Sequence, residues 1–246
     1  MTGPLAALPD DFAATVASLH RVAEELVAPA RKPDNEIALE PTRGGFGTPE
    51  FEFDAAPHRV RVDGVDLVHS VGGFERRVPL TSLAEGASIL TGLLPPGPAP
   101  SPEPLRIDPD AARALAGWYA FGAEVLARLI SVAARGEHPT PPTLWPEHFD
   151  IAVEVGDEAG GWRATYGFSP GDENHAEPYV YVAPWSATVS GPLWTARGFG
   201  GAELGYRELL AEPDPCTAAI VFFTTRWDLL AMDARRKARA TPEEES

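Results

Sequence analysis

The sequence predicts an α+β fold: a largely antiparallel sheet with helices packed on one face. Three observations predict it. Apolar residues recur at helical spacing over 10–28, after Asp108 and again after Asp214, whereas the period between these stretches falls to two. Glycine, asparagine, aspartate and proline bound the period-two segments at short intervals, as antiparallel strands require. The 26 prolines in 246 residues exceed the usual share and imply many turns and irregular connections.

Residues 10–28 read as a helix capped by Asp10 or Asp11, with Phe12, Val16, Leu19, Ala23 and Leu26 at alternating steps of four and three. Pro29 and Pro33 end it. A strand is expected over Glu36–Glu40. The runs His58–Val62 and Val65–His69 then flank Asp63-Gly64, a two-residue hairpin signal. Between them, Thr42–Gly47 is a plain turn, because it lacks the Lys-Ser/Thr ending and strand-to-helix setting of a phosphate-cradling loop. A short helix follows around Leu83–Leu93.

Pro95–Pro104 carries proline at every second position in its later half, which forces extended backbone and makes a semi-rigid spacer of roughly 30 Å at about 3.1 Å per residue. It crosses the surface between the halves 1–94 and 105–240. Asp108-Pro109-Asp110 next opens a helix with Leu115, Trp118, Phe121 or Gly122, Val125, Leu129 and Val132 on its apolar face and Gly136 as its stop. Strands are expected at 149–155, 162–168 and 178–184, with Gly160-Gly161 turning the first pair. Asp214-Pro215 opens the last helix, whose apolar face is Ile220, Phe223, Trp227 and Leu230. Neither half makes a complete core alone, so 1–240 form one domain, followed by a disordered acidic tail at 241–246.

Charge excludes one partner class. With 20 basic against 36 acidic residues the net charge is -16, which repels a phosphate backbone, so no nucleic-acid partner is expected. The basic run Arg235-Arg236-Lys237-Ala238-Arg239 sits at a helix end, where cations complement the dipole. No apolar run near 18 residues and no basic leader are visible, so neither membrane nor export is expected. A single cysteine, Cys216, agrees with a reducing, cytoplasmic compartment. The sequence assigns no cofactor and leaves the oligomeric state open.

Candidate chemistry concentrates in Leu144–Trp185. Two His-x-acid pairs, His148 with Asp150 and His175 with Glu177, flank a turn carrying Asp172 and Glu173. Strand residues two apart share a face, so each pair can look into one cavity. Tyr179 and Tyr181 share a face, with Val180 and Val182 on the other, and Trp145 completes the proposed lining. Imidazoles beside carboxylates suit general acid–base work, and His148, Asp150, His175 and Glu177 would also make a borderline metal set for zinc, iron or manganese. No recognised zinc spacing such as HExxH occurs, and Pro170-Gly171-Asp172-Glu173-Asn174 equally suits an ordinary exposed turn. His20 and His69 read as structural, and His58 and His138 as surface-loop residues. Cys216 falls at a helix start, where the dipole favours a thiolate, but has no identifiable base beside it. Ser169 lacks the GxSxG elbow.

The motifs Trp145-Pro146-Glu147-His148-Phe149-Asp150, Gly167-Phe168-Ser169-Pro170-Gly171-Asp172, Glu177-Pro178-Tyr179-Val180-Tyr181 and Leu204-Gly205-Tyr206 resemble those of a bacterial family of conserved hypothetical proteins, over residues 144–230. The resemblance implies no activity, cofactor or catalytic residue. Three functional readings follow from the residues: a small-molecule-binding protein that can act as an acid–base enzyme, a non-catalytic protein-interaction module, and a divalent-metal enzyme.

Overall fold

A computed structural model describes residues 5–34, 36–133, 137–185 and 188–240. The expected helix stop at Gly136 and the tail at 241–246 lie outside the described residues. The fold is α+β, but the strands divide into two antiparallel sheets rather than one.

Helix α1 (Phe12–Val22) continues directly into a π-helical turn, Ala23–Val27, and a 3₁₀ turn, Pro29–Asp34. The first sheet follows, from β1 (Glu40–Thr42), β2 (Gly45–Gly47), β3 (Phe51–Phe53), β4 (Ala56–Asp63), β5 (Asp66–Val71) and β6 (Phe74–Pro79), in the order β1-β2-β4-β5-β6 with β3 on β4. The expected strand at Glu36–Glu40 therefore begins only at Glu40. Thr42–Gly47 is more than a turn: Thr42 pairs with Gly45, and the segment supplies most of the β1–β2 hairpin. The Asp63-Gly64 hairpin forms in the expected register, Asp63 opposite Asp66.

After α2 (Leu83–Ala87) the proline segment does not stand off as a rod. Ser101 accepts a backbone bond from Ala84, and Leu105 donates one to Thr81, so the segment lies back along the start of α2. Buried hydroxyls on α1 then receive the emerging chain: Ser18 accepts from the Arg106 amide at 3.0 Å and Thr15 from the Asp108 amide at 2.9 Å. A proline-rich stretch has few amides to satisfy, so a handful of bonds from neighbouring residues suffices to dock it.

Helix α3 (Pro109–Val132) starts as the sequence requires, with Asp108 Oδ1 accepting from the amides of Asp110 and Ala111, both at 2.9 Å. It is long and apolar enough to cross a membrane by length and composition, contrary to the expectation from the sequence. Its buried face, from Ala111 to Leu129, instead fills the centre of the core, and it packs against α1 and both sheets. Strands β7 (Thr143–Trp145), β8 (Asp150–Val155), β9 (Ala164–Ser169), β10 (Tyr179–Pro184) and β11 (Ala202–Gly205) form the second sheet in the order β11-β10-β9-β8-β7. Helices α4 (Tyr206–Ala211) and α5 (Pro215–Ala240) close the chain.

The second sheet has two unlike faces. Ile151, Val153, Tyr166, Phe168, Val180 and Val182 point to α3 and α5 and are fully or almost fully buried. Phe168 meets Trp118, Phe121 and Phe223 edge-on, and Tyr166 meets Phe223 in the same way. Among the described residues no helix covers the opposite face, and it carries the polar residues considered below. Reciprocal backbone bonds between Leu39 and Leu144 tie the two sheets together, and one apolar core runs from Phe12 to Leu230.

One histidine differs from its expected place. His58 lies within β4 rather than a surface loop and is buried beside His69 on β5, with His58 Nδ1 and His69 Nε2 at 3.0 Å. His69 Nδ1 faces the Ile89 carbonyl at 3.1 Å. Burial, with the nearby His58 and Arg76, holds the His69 imidazole below its ordinary pKa despite the Ile89 carbonyl, which acts the other way.

Candidate functional site

The register of the second sheet builds the site. Ala152 pairs with Gly167, Gly167 with Tyr181, and Tyr181 with Glu203, so these four form one row across the open face. The neighbouring row holds Ser169 and Tyr179, and Asp150, two residues before Ala152, falls on the same face. Alternation on β10 thus sorts Tyr179 and Tyr181 to the open side and Val180 and Val182 to the core.

Gly167 sets the reach of Tyr181. A Cβ at Gly167 would stand 2.5 Å from Cε1 and Cζ of the Tyr181 ring, a distance no side chain tolerates. Lacking one, residue 167 lets the ring lie across β9, and its hydroxyl donates a very short hydrogen bond to Asp150 Oδ2. Asp150 is 4% exposed, and its Oδ1 is buried and meets no hydrogen-bond donor among the described residues. Burial pushes its carboxyl pKa up; the bond from Tyr181 and the nearby His148 act the other way, and Glu147 adds to the rise. Burial and the Asp150 charge push the Tyr181 phenol well above its ordinary value.

Phe149 adopts φ 52, a left-handed conformation that costs a bulky residue about 1–3 kcal/mol. The surroundings hold it there. Its carbonyl accepts from the buried Tyr119 hydroxyl at 2.7 Å, and its ring stacks on His20 at 5.0 Å and meets Phe46 and Tyr119 edge-on. His20 is itself fixed at 2.8 Å from the Pro146 carbonyl. Because β8 begins only at Asp150, His148 does not share its face by strand alternation; the turn at Phe149 brings it to the same cavity.

That cavity, about 640 Å³, is lined by His20, Glu147, His148, Asp150, Thr165, Ser169, Gly171, Asp172, Glu173, Tyr179, Tyr181, Ala183 and Phe199. It brings together five of the eight expected site residues: His148, Asp150, Asp172, Tyr179 and Tyr181. The other three lie elsewhere. Trp145, at the end of β7, is 37% exposed and outside the lining. Glu177 is held by Arg207, whose Nε donates at 2.8 and 3.0 Å to its two carboxylate oxygens, so the expected His175–Glu177 pair does not form. His175 lines an adjacent cleft of about 490 Å³ with Thr195, Arg197 and Glu203. His148 and His175 therefore do not share a cavity.

Asp172 links the two. Its Oδ2 accepts from the Tyr179 hydroxyl at 2.8 Å; its Oδ1 accepts from the amides of Asn174 and His175 and lies 2.9 Å from His175 Nδ1. Burial alone would raise the Asp172 carboxyl, but the bonds from Tyr179, His175 and Asn174 outweigh it and hold the pKa below the ordinary value. His175 Nε2 in turn faces Glu203 Oε2 at 3.2 Å. With carboxylates at both ring nitrogens, His175 makes both bonds at once only when doubly protonated. Asp172 is therefore a fixed part of the cavity wall, held by His175 from the adjacent cleft, and Asp150 Oδ1 is the acceptor without a donor among the described residues.

Among the described residues no three His, Cys, Asp or Glu side chains converge closely enough to hold a metal ion, so His148, Asp150, His175 and Glu177 do not make a ligand set. Cys216 is the second residue of α5, yet burial, with the Glu124 and Asp214 charges, lifts its thiol above the ordinary value despite Arg128, the opposite of an activated thiolate. Sequence reasoning missed His20, Glu147, Ser169, Phe199 and Glu203. His20 meets Pro146 across 126 residues of chain, and no local pattern marks that contact. No protein-family model matches the chain, and no curated protein or solved structure is significantly similar to it.

Proposed function

We propose that this protein binds a small molecule in the cavity above Asp150, and that any reaction there is acid–base chemistry centred on the Asp150–Tyr181 pair. The observation that carries this reading is the buried Asp150 Oδ1, without a donor among the described residues, in a residue that lines the cavity. A buried acceptor without a donor costs about 1–3 kcal/mol, a cost that a ligand donor removes. The volume falls within the roughly 300–1,000 Å³ usual for small-molecule sites. A buried carboxyl whose pKa is raised by burial, bonded to a phenol and facing a cavity, is the kind of group that serves as a general acid or base. Here Asp150 is the acid or base, Tyr181 its orienting donor, and His148 the second titratable group on the rim.

An interaction module does not require titratable side chains converging on a cavity of this volume, and that convergence supports the first reading. Within it the chain works in the cytoplasm, in keeping with its one cysteine, and belongs to the bacterial family its motifs resemble. A diverse fragment set screened by amide-resolved NMR tests the proposal. Fragments that bind should shift the amides of Asp150, Gly167, Ser169, Tyr181 and Ala183 together. Hits scattered over the surface with these amides unmoved would refute it.

A further inference from the structure

Charge and ring placement at the same cavity narrow the ligand class. Four of the lining residues are carboxylic acids, Glu147, Asp150, Asp172 and Glu173, and none is lysine or arginine. Among the described lining residues the only groups able to carry positive charge are His20 and His148. His20 Nε2 is already engaged at the Pro146 carbonyl, with Glu24 3.8 Å away. Asp172 is satisfied by Tyr179 and His175. Asp150 is not: its Oδ1 is buried and meets no donor among the described residues, and the residue lines the cavity. Among the described residues, therefore, no lysine or arginine of the lining supplies a counter-charge and no donor meets Asp150 Oδ1.

Aromatic rings stand beside these acids. Tyr179 and Tyr181 have centroids 6.1 Å apart, and Phe199 meets Tyr181 edge-on at 6.1 Å. Ring faces and carboxylates attract the same partner, a cation with an organic body. A bare divalent ion would gain nothing from the rings, and no three ligating side chains converge on one point among the described residues.

We infer that the ligand of this cavity is a small organic ammonium ion, its N–H donated to Asp150 Oδ1 and its hydrocarbon part against Tyr179, Tyr181 and Phe199. This rests on the small-molecule reading above. An alcohol would supply the donor but leave the charge uncompensated, and a carboxylate would add a fifth acid to the four already present.

The test uses the full chain and matched probes at millimolar concentration: benzylamine, phenethylamine and cyclohexylamine, each beside the corresponding alcohol and carboxylate. The amines should shift the amides of Gly167, Tyr181 and Ala183 with affinity at least about tenfold above the alcohols, and the carboxylates should shift none of them. Asp150→Asn, nearly isosteric, should abolish the preference for amine over alcohol while the rest of the amide spectrum is unchanged. Tyr181→Phe, which keeps the carboxylate, should retain that preference. Alcohols or carboxylates binding the cavity as well as the amines would overturn the ammonium assignment and leave the small-molecule reading standing. Cavity amides unmoved by every probe, or amine binding elsewhere, would overturn it as well, and only a failed fragment screen would remove the pocket itself.

Discussion

Asp150 is the residue on which the site turns, and its stability cost is measurable. Its pKa is raised by burial in the folded state, so folding takes up a proton in the range above the ordinary value of 3.8. Stability is therefore lost as pH rises from that value through the raised one, and the loss is complete above it. Asp150→Asn keeps an acceptor for Tyr181 without a charge to desolvate. It should stabilise the protein at pH 7 by about 1–3 kcal/mol in denaturant titrations, with the gain vanishing at acid pH. Equal stability at both pH values would contradict the burial of the charge. Gly167→Ala acts on the same pair from below. Its methyl collides with the Tyr181 ring, so it should cost about 1–3 kcal/mol and abolish ligand-induced shifts at Asp150. Part of this was legible: the Tyr179/Tyr181 face follows from spacing, whereas His148 comes near Asp150 only through the left-handed turn at Phe149. The value of Gly167 was not, because only the cross-strand register places it under Tyr181.

At the scale of elements, local chemistry was readable where a residue caps or turns its own segment. Asp108-Pro109-Asp110 opens α3 and Asp63-Gly64 turns β4 into β5 as the sequence states, because each depends on bonds within a few residues. Three-residue strands such as β3 and β7 carry too few alternations to register. The two-sheet split depends on Leu39 pairing with Leu144, a contact between distant segments. His148 and His175 were expected together because each precedes an acid by two; the left-handed Phe149 and the Arg207–Glu177 bond break that symmetry. The α3 cap gives a direct check. Asp108→Ala removes the acceptor for two amides and should cost about 1 kcal/mol, read as a lower urea midpoint with unchanged slope. Because α3 packs on both sheets, the loss should appear in the global transition rather than as local fraying.

For the whole molecule, the buried His69 beside His58 gives stability an acid limit. His69 has a folded pKa below its ordinary 6.5, so the unfolded chain binds the proton more readily. The stability is present above 6.5 and is lost as pH falls below that value, at up to about 1.4 kcal/mol per pH unit for one proton. His69→Gln keeps a donor for the Ile89 carbonyl and removes the titration. It should flatten the melting temperature between pH 7 and 5, whereas an unchanged slope would place the acid limit elsewhere. This slope and that of Asp150 have opposite signs, so each is separable by its own variant.

The functional account depends above all on a buried Asp150 carboxyl held by Tyr181, and the most direct measurement is its titration by carboxyl-carbon NMR in the wild-type protein and in Tyr181→Phe. The account predicts a midpoint above 3.8 in the wild type and a higher one in the variant, because the hydroxyl bond favours the ionised form. A midpoint at or below 3.8, or one unmoved by loss of the hydroxyl, would contradict it.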